Sequence, residues 1–497
     1  MSVGMFMAVL DIQIVASSLP DIQAGLYIEL DRLSWVQTAY LMAEIVAIPL
    51  TGWLTRMMSL RWSFVACVSG FTAASVGCAA STGFWSLVAA RAVQGLCGGA
   101  LIPLVFSAVF VMFDGTARVR ATMLAGVLAM LAPTLGPTVG GFVTDQYSWH
   151  WLFLINVPPG IAVALLVALA VGGDPPVWRL FRSVDLLAMP VLAVFLATLE
   201  VVLKEAPHRG WDDGEILSLM TICGIGGFTF FWRCRHAEGA LIDLGAFRNR
   251  NFVFGCWFSF VLGVGLYGAC YLLPLFLGLV RLHTALEIGM VMMVTGAAQL
   301  IATPVAAWLE RRTDARLLTA FGYGLLAIGF IGNGFMTPAA DFWALCWQQA
   351  ARGAALMLCL LPTTALALDK FSPAQVPNAS GLFNLMRNLG GAIGLALIDT
   401  VLENRAPVHS KALAARLMRG DIAAARFVGL PADQFTGAPI GGIDQQTREF
   451  VTPLIERAGL TAAFNDAWIL VGLLILLSLL LLPLLQQSRN SDRRLPH

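Results

Sequence analysis

Long apolar segments recur along the chain from Met5 to Leu485, separated by short clusters of charged, glycine and proline residues. Each is close to the roughly 20 residues that an α-helix needs to cross a bilayer. The pattern predicts spans at about 4–20, 33–53, 62–81, 86–112, 121–144 and 150–172, then a separate pair at about 184–203 and 214–233. Six more follow at about 252–279, 285–308, 316–336, 342–368, 378–402 and 466–486. The expected fold is an all-α polytopic membrane protein of fourteen transmembrane helices, because apolar runs this long satisfy their backbone groups in lipid as helices. One connection is long, from about Arg405 to Ala463, with helix-like pieces Ser410 to Val428 and Gln445 to Ala458 around a centre holding Pro431, Pro439, Gly441 and Gly442.

The segment from Ala132 to Gly141 departs from ordinary helix composition. It carries Pro133, Gly136, Pro137, Gly140 and Gly141, with no charge between Arg120 and Asp145. In a soluble helix each interior proline costs about 3 kcal/mol. In a membrane, neighbouring helices satisfy the freed carbonyls, and Gly136 and Gly140, on one face, let another backbone approach closely.

The pattern also repeats at a larger scale. Ile48 to Arg56 aligns with Thr303 to Arg311, matching Pro49 with Pro304, Trp53 with Trp308, Leu54 with Leu309 and Arg56 with Arg311. At the same offset Arg61 meets Arg316 and Glu44 meets Gln299, while Ala90-Arg91 is echoed by Ala351-Arg352 at a slightly larger one. Two six-helix bundles are expected, residues 1–172 and 251–497, with two inserted helices in 173–250. Duplicated halves with a site between them are a common plan of secondary transporters.

Composition narrows the class. With 58% hydrophobic and 12% charged residues and a mean hydropathy of +0.77, the chain is not a soluble globular protein. Its net charge of +1 and lack of a basic block outside short loops give no sign of a nucleic-acid partner. If the N-terminus is cytoplasmic, the inner loops and tail hold most of the basic residues, among them Arg56, Arg61, Arg118, Arg120, Arg248 and Arg250. The short outer loops hold Arg32, Lys204, Arg209 and Arg281. The bias places both termini in the cytoplasm. The first apolar run continues past any cleavage site and carries Asp11, which reads as a retained span. The nine cysteines fall in spans or at their cytoplasmic ends, so no disulfide framework is expected, and the six histidines lack ligand spacing, so no metal is expected. Lys204, Lys370 and Lys411 do not follow glycine, which excludes a phosphate-binding loop; no cofactor is expected, and transport must use an ion gradient or run downhill.

Charged residues at membrane depth are the candidates for chemistry. Asp11 must pair, face water or be protonated; it reads as a proton carrier or as half of a static ion pair. Arg91, permanently charged, is its natural partner or else a ligand of neighbouring carbonyls. Glu44 suits a cationic substrate or a second proton. Arg387, between Asn384 and Asn388, pairs with an acid of the other half or contacts an anionic substrate. Gln94, Gln299, Asn384 and Arg387 are candidates for a polar cavity, whereas Asp399 and Glu200, near outer helix ends, are expected to be solvated.

Five stretches together resemble a known family. They are Leu10-Asp11-Ile12-Gln13 through Leu19-Pro20, Gly52 through Arg61, Arg91-Ala92-Val93-Gln94-Gly95 through Gly99, Gly136-Pro137 through Gly141, and Trp149 through Asn156-Val157-Pro158. In this order they resemble the major facilitator superfamily and, within it, the fourteen-span drug:proton antiporters of the EmrB/QacA type, in particular EmrB-like inner-membrane permeases. The resemblance implies that Asp11 and Arg91 couple protons, that the glycine-proline element marks an antiporter, and that Gly52, Arg56 and Arg61 form an inner gate loop. Two departures stand out: Thr55 replaces a usual acidic residue, and His150 a common arginine. The resemblance further implies efflux of small amphipathic or toxic compounds, antibiotic resistance, a bacterial inner-membrane location, and a membrane-fusion adaptor and outer-membrane channel as candidate partners at loop 405–463. The alternatives are a dedicated exporter or importer of one metabolite, and a non-transporting scaffold or sensor. None of these readings is an enzyme.

Overall fold

The computed structural model describes residues 1–113, 115–172, 187–236, 244–310, 312–371, 376–431 and 445–486, and among these the regular structure is helical. The chain opens with α1 (Ser2–Ser17) and α2 (Leu19–Leu26), bent 68° from one another. Pro20, in the first turn of α2, accounts for the break, since it has no N–H to return to the preceding turn. After the single turn α3 (Leu30–Leu33) comes α4 (Trp35–Ala79), which contains two expected spans and the loop expected between them. That loop is replaced by helix. Its one interruption is Ser59, whose φ of 65° and ψ of 162° are costly for a residue with a Cβ. The Ser63 hydroxyl serves the disturbed turn, 2.7 Å from the Ser59 carbonyl oxygen and 2.8 Å from that of Leu54.

The first half is completed by α5 (Phe84–Met112), α6 (Gly115–Gln146), α7 (Trp151–Leu154) and α8 (Val157–Ala170). Both prolines of the glycine-proline run lie within α6, which stays helical through them. The next two helices, α9 (Ala188–Arg209) and α10 (Gly214–His236), pack on each other, with Phe195 lying over Gly226 and Gly227. Leu192 and Leu196 of α9 share a core with Ile45 and Val46 of α4 and with Leu382 and Phe383 further along, so this helix touches both halves. The second half comprises α11 (Arg250–Leu275), which ends in a π turn over Phe276–Val280, followed by α12 (Ala285–Glu310), α13 (Ala315–Asn333) and α14 (Phe342–Leu368). It closes with α15 (Val376–Met418), α16 (Ile422–Val428) and α17 (Gln445–Ser478).

Ten of the described segments are long and apolar enough to cross a membrane, or eleven with the bent pair α1 and α2; Trp35–Ile48 and Ala188–Leu203 are apolar but shorter. The expected fourteen are therefore not all found at spanning length among the described residues. The long connection also differs from expectation. Helix α15 runs unbroken through Pro407 to Met418, and α17 begins at Gln445 and continues into the last span. A separate small core of Leu413, Leu417, Ala424, Ala425, Val428 and Ala458 holds these extensions together. Asp399 and Glu200, expected to be solvated, are 5% and 2% exposed, because their helices continue beyond them into packed surroundings.

The duplication is visible in the packing. Gly95 of α5 lies against the Tyr40 carbonyl of α4, and Gly353 of α14 against the Thr295 carbonyl of α12. Likewise Gly140 of α6 lies against the Ile14 carbonyl of α1, and Gly390 of α15 against the Phe260 carbonyl of α11. Glycine permits each approach, because a Cβ there would overlap backbone that has no room to yield. The two halves meet where Gly141 of α6 lies against the Ala285 carbonyl and Gly289 of α12 against the Pro137 carbonyl, with the Thr138 hydroxyl donating to Gly289 O at 3.3 Å.

Candidate functional site

Beyond Ser2 at its start, helix α1 is apolar except for Asp11, Gln13 and Ser17, all three buried. An acid on such a helix must find its partners inside the protein, and Asp11, fully buried, finds them on two other helices. Arg91 of α5 donates from one guanidinium nitrogen to Asp11 Oδ2. Asp11 Oδ1 accepts from Gln94 Nε2 at 2.9 Å and from Asn156 Nδ2 at 2.7 Å. Arg91 is held in turn: its Nε donates to the Val36 carbonyl at 3.0 Å, Nη1 also reaches Gln94 Oε1 at 2.6 Å, and the guanidinium lies 4.4 Å above the Tyr40 ring. Gln94 closes the network by donating to Ser75 Oγ at 2.9 Å. Its spacing from Arg91, three residues along one helix, puts both on the face that meets α1.

The result is a carboxylate of α1 fixed by one cation and one amide from α5 and a second amide from the N-cap of α8. Asp11 supplies the charge opposite Arg91, while the Val36 carbonyl, Gln94 Oε1 and the Tyr40 ring also engage that guanidinium. Asn156 was legible only as part of a motif, and Tyr40, Ser75 and the Val36 carbonyl not at all. Amides and hydroxyls are common in apolar helices, so nothing singles them out in the sequence.

Glu44 forms a second group. It is 5% exposed on α4, packed against Gly99, with Asn388 and Arg387 of α15, in the other half, near enough to act on its charge. Asn388 in turn accepts from the Tyr267 hydroxyl at 3.1 Å. Of the readings left open for Arg387, proximity to an acid of the opposite half is the one the geometry contains.

Between the halves lies a small cavity of about 40 Å³, lined by Gln13 and Pro137 from the first and by Cys270, Met292, Thr295, Gln299 and Arg352 among others from the second. It has room for a few waters and is far smaller than a drug-sized pocket. Gln299 lines it as expected, whereas Gln94, Asn384 and Arg387 do not. Gln94 serves Asp11 instead. Gly136 and Gly140 of the glycine-proline element accept α1, with a Cβ at either falling 2.5 Å from Gln13 Cβ or Ile14 O, while Gly141 accepts α12. Arg61 donates to the Ala168 carbonyl near the end of α8 and stacks on Trp62 at 4.9 Å. The side chains of Gly52, Arg56 and Pro133 lie outside the described residues. Among the described residues no group of three or more His, Cys, Asp or Glu side chains is placed to hold a metal ion.

Comparison with known proteins establishes the family and the fold. The sequence profile described as Major Facilitator Superfamily matches residues 1–395. The chain is 40% identical over 408 residues to the colistin resistance protein EmrB of Acinetobacter baumannii, covering 82% of this chain and 80% of that protein. It is 29% identical over 481 residues to the multidrug export protein EmrB of Escherichia coli K12, covering 96% and 92% respectively. Among solved structures, the inward-facing, occupied form of a bacterial homolog to the human lysosomal transporter Spinster superposes with a TM-score of 0.66 at 13% identity, covering 100% of this chain and 97% of that one, a likeness of fold. Matched by that family profile over most of its length and 40% identical to an EmrB over four fifths of each protein, this multi-pass helical chain belongs to the major facilitator superfamily and is EmrB-like within it.

Proposed function

We propose that this protein exports small amphipathic compounds across the bacterial inner membrane in exchange for protons, by alternating access between its two halves. The observation that carries the reading is Asp11, a fully buried carboxylate whose partners Arg91, Gln94 and Asn156 come from other helices. An ionised acid at that depth costs roughly 2.5–3.5 kcal/mol on insertion scales, so it is retained for a purpose that offsets the cost. Taking up a proton dissolves the cluster, and releasing it rebuilds the cluster, which links protonation to the positions of α1, α5 and α8. A membrane potential supplies about 2.3 kcal/mol per charge per 100 mV to drive that cycle.

Glu44 is a second acid facing the contact between halves, near Asn388 and Arg387, and the glycine seam of α6 with α12 is where the halves slide. The names of the relatives, multidrug export and colistin resistance, support a broad range of toxic substrates. Both termini are assigned to the cytoplasm, regions 1–172 and 251–497 to the two bundles and 173–250 to the inserted pair. The helical extensions of 405–463 are assigned to docking a membrane-fusion adaptor that leads to an outer-membrane channel. Protein reconstituted in liposomes with an imposed pH gradient tests the reading, using a panel of amphipathic fluorophores of either charge. Wild type should accumulate at least one against its gradient, and Asp11→Asn should not; gradient-independent flux or an active Asp11→Asn variant would overturn it.

A further inference from the structure

Three arginines sit at depth in the apolar helices: Arg91, Arg352 and Arg387. Arg91 pairs with Asp11, and Arg387 lies near enough to Glu44 across the seam to feel its charge, although Arg91 Nη2 and Arg387 Nε, among the described residues, have no hydrogen-bond partner. Arg352 is different. It is 3% exposed and rests between aromatic rings, 4.7 Å from the centroid of Trp468 and 5.4 Å from that of Phe330. Its Nε and Nη1 have no hydrogen-bond partner.

Among the described residues, no acid faces it or lines its cavity. The side chains that face it are Phe330 of α13, Trp468 of α17 and Cys270 of α11, and it shares its cavity with Thr295 and Gln299 of α12 and Gln13 of α1. The repeat explains the asymmetry. At the offsets that pair Glu44 with Gln299 and Arg91 with Arg352, Asp11 falls on Leu266 to Leu272, a stretch without a carboxylate. The second half thus keeps the cation of the pair and lacks its anion. Stacking on Trp468 and Phe330 engages the faces of the guanidinium and leaves its edge donors unmet, and a buried charge with unmet donors calls for an outside acceptor.

We propose that Arg352 is an anion-binding site, taking a singly charged group, a carboxylate of an amphipathic substrate or a chloride ion, in the position that Asp11 fills in the first half. The inference rests on the transport reading above and names the chemistry of what is bound. The cavity beside Arg352, about 40 Å³ with Gln13, Thr295 and Gln299 on its wall, fits a small anionic head and excludes an aromatic body. The apolar part of a substrate must then lie outside it.

The test uses purified full-length protein in nanodiscs at neutral pH, without a gradient, in sulfate buffer, whose anion is doubly charged and carries no carboxylate. Binding of 1-naphthylacetic acid, ionised at that pH, is compared with that of its neutral amide, 1-naphthylacetamide. Wild type should bind the acid about tenfold or more tightly than the amide. Arg352→Gln should abolish the preference, Arg352→Lys should retain part of it, and Arg419→Gln, at an exposed arginine that bonds the Ala415 carbonyl of the adjoining helix, should leave it intact. Replacing sulfate by chloride separates the sources. A chloride site appears as a chloride-dependent rise in wild-type melting temperature, absent in Arg352→Gln, with weakened binding of the acid. A substrate site appears as acid preference with no response to chloride. Equal binding of acid and amide together with no chloride effect on wild type would overturn the proposal, even if Arg352→Gln failed to fold. A preference that survives in folded Arg352→Gln would do the same. Because no gradient is used, this outcome is independent of whether Asp11 couples protons.

Discussion

At the scale of single residues, the Asp11–Arg91 pair sets the energetics of the site. Both side chains are fully buried, and removing one partner of such a pair leaves a bare charge in a poorly solvating interior. Arg91→Ala is expected to destabilise the protein by about 3–5 kcal/mol in a denaturation assay in detergent. Adding Asp11→Asn to that variant should recover much of the loss, since the stranded carboxylate is gone. A single variant no less stable than wild type would mean that the pair is solvated in the native protein. Both members of this pair were legible in the sequence because a charge in an apolar run is conspicuous. Their supporting donors were not, since Asn156 and Ser75 are ordinary residues in apolar helices and only the fold brings them to Asp11 and Gln94. Arg352 was visible only through the repeat, and its lack of a counter-charge emerged from the packing.

Among the elements, helix existence and type followed from apolar length, and the errors concern where helices stop. The sequence from Gly52 to Arg61 looks like a loop because it combines glycine with basic residues, yet it lies in α4 with one strained residue at Ser59. Similarly, Arg405, Pro407 and His409 look like the start of a loop and instead lie within α15. There His409 and Arg405 both bond Asp466 of α17 at 2.7 Å, replacing solvent by a cross-helix partner. The short α16 depends on its cap. Asp421 Oδ1 accepts from the Ala423 and Ala424 amides at 2.9 and 3.1 Å, and Oδ2 from Arg416 Nε at 2.8 Å. The Arg416 hydrogen bond, followed by that of the Ala424 amide, holds the Asp421 carboxyl below its ordinary value of 3.8. A depressed carboxylate contributes its stability above the unfolded value and loses it as pH falls through the folded one. Hydrogen exchange in residues 422–428, corrected for intrinsic rate, should therefore be steady from neutral pH down to about 5 and increase below about 4. Asp421→Ala should exchange quickly across that whole range; protection indifferent to both changes would show that the cap is not what orders α16.

The whole molecule is two related bundles that touch along glycine seams. That there are two halves was legible from the echo of Pro49, Trp53 and Arg56 in Pro304, Trp308 and Arg311. Which glycine meets which backbone was not, because the facing partner of a small residue leaves no mark on its own sequence. Gly141 and Gly289 lie on the contact between α6 and α12, while Gly224 of α10 has open space where a Cβ would go. Overpacking a tight contact costs about 1–3 kcal/mol. Gly141→Ala should therefore reduce transport by about tenfold or more through a biased balance between open and closed forms, and Gly224→Ala should match wild type. Equal activity of the two would detach the seam from the cycle. The central claim is that Asp11 exchanges its proton against substrate, and the most direct measurement is proton release on binding. Purified protein in weakly buffered solution with a pH-sensitive dye, titrated with a transported compound, should release about one proton per bound molecule in wild type and none in Asp11→Asn. Undiminished release from Asp11→Asn, or binding to wild type with no release at any pH between about 5 and 9, would contradict it.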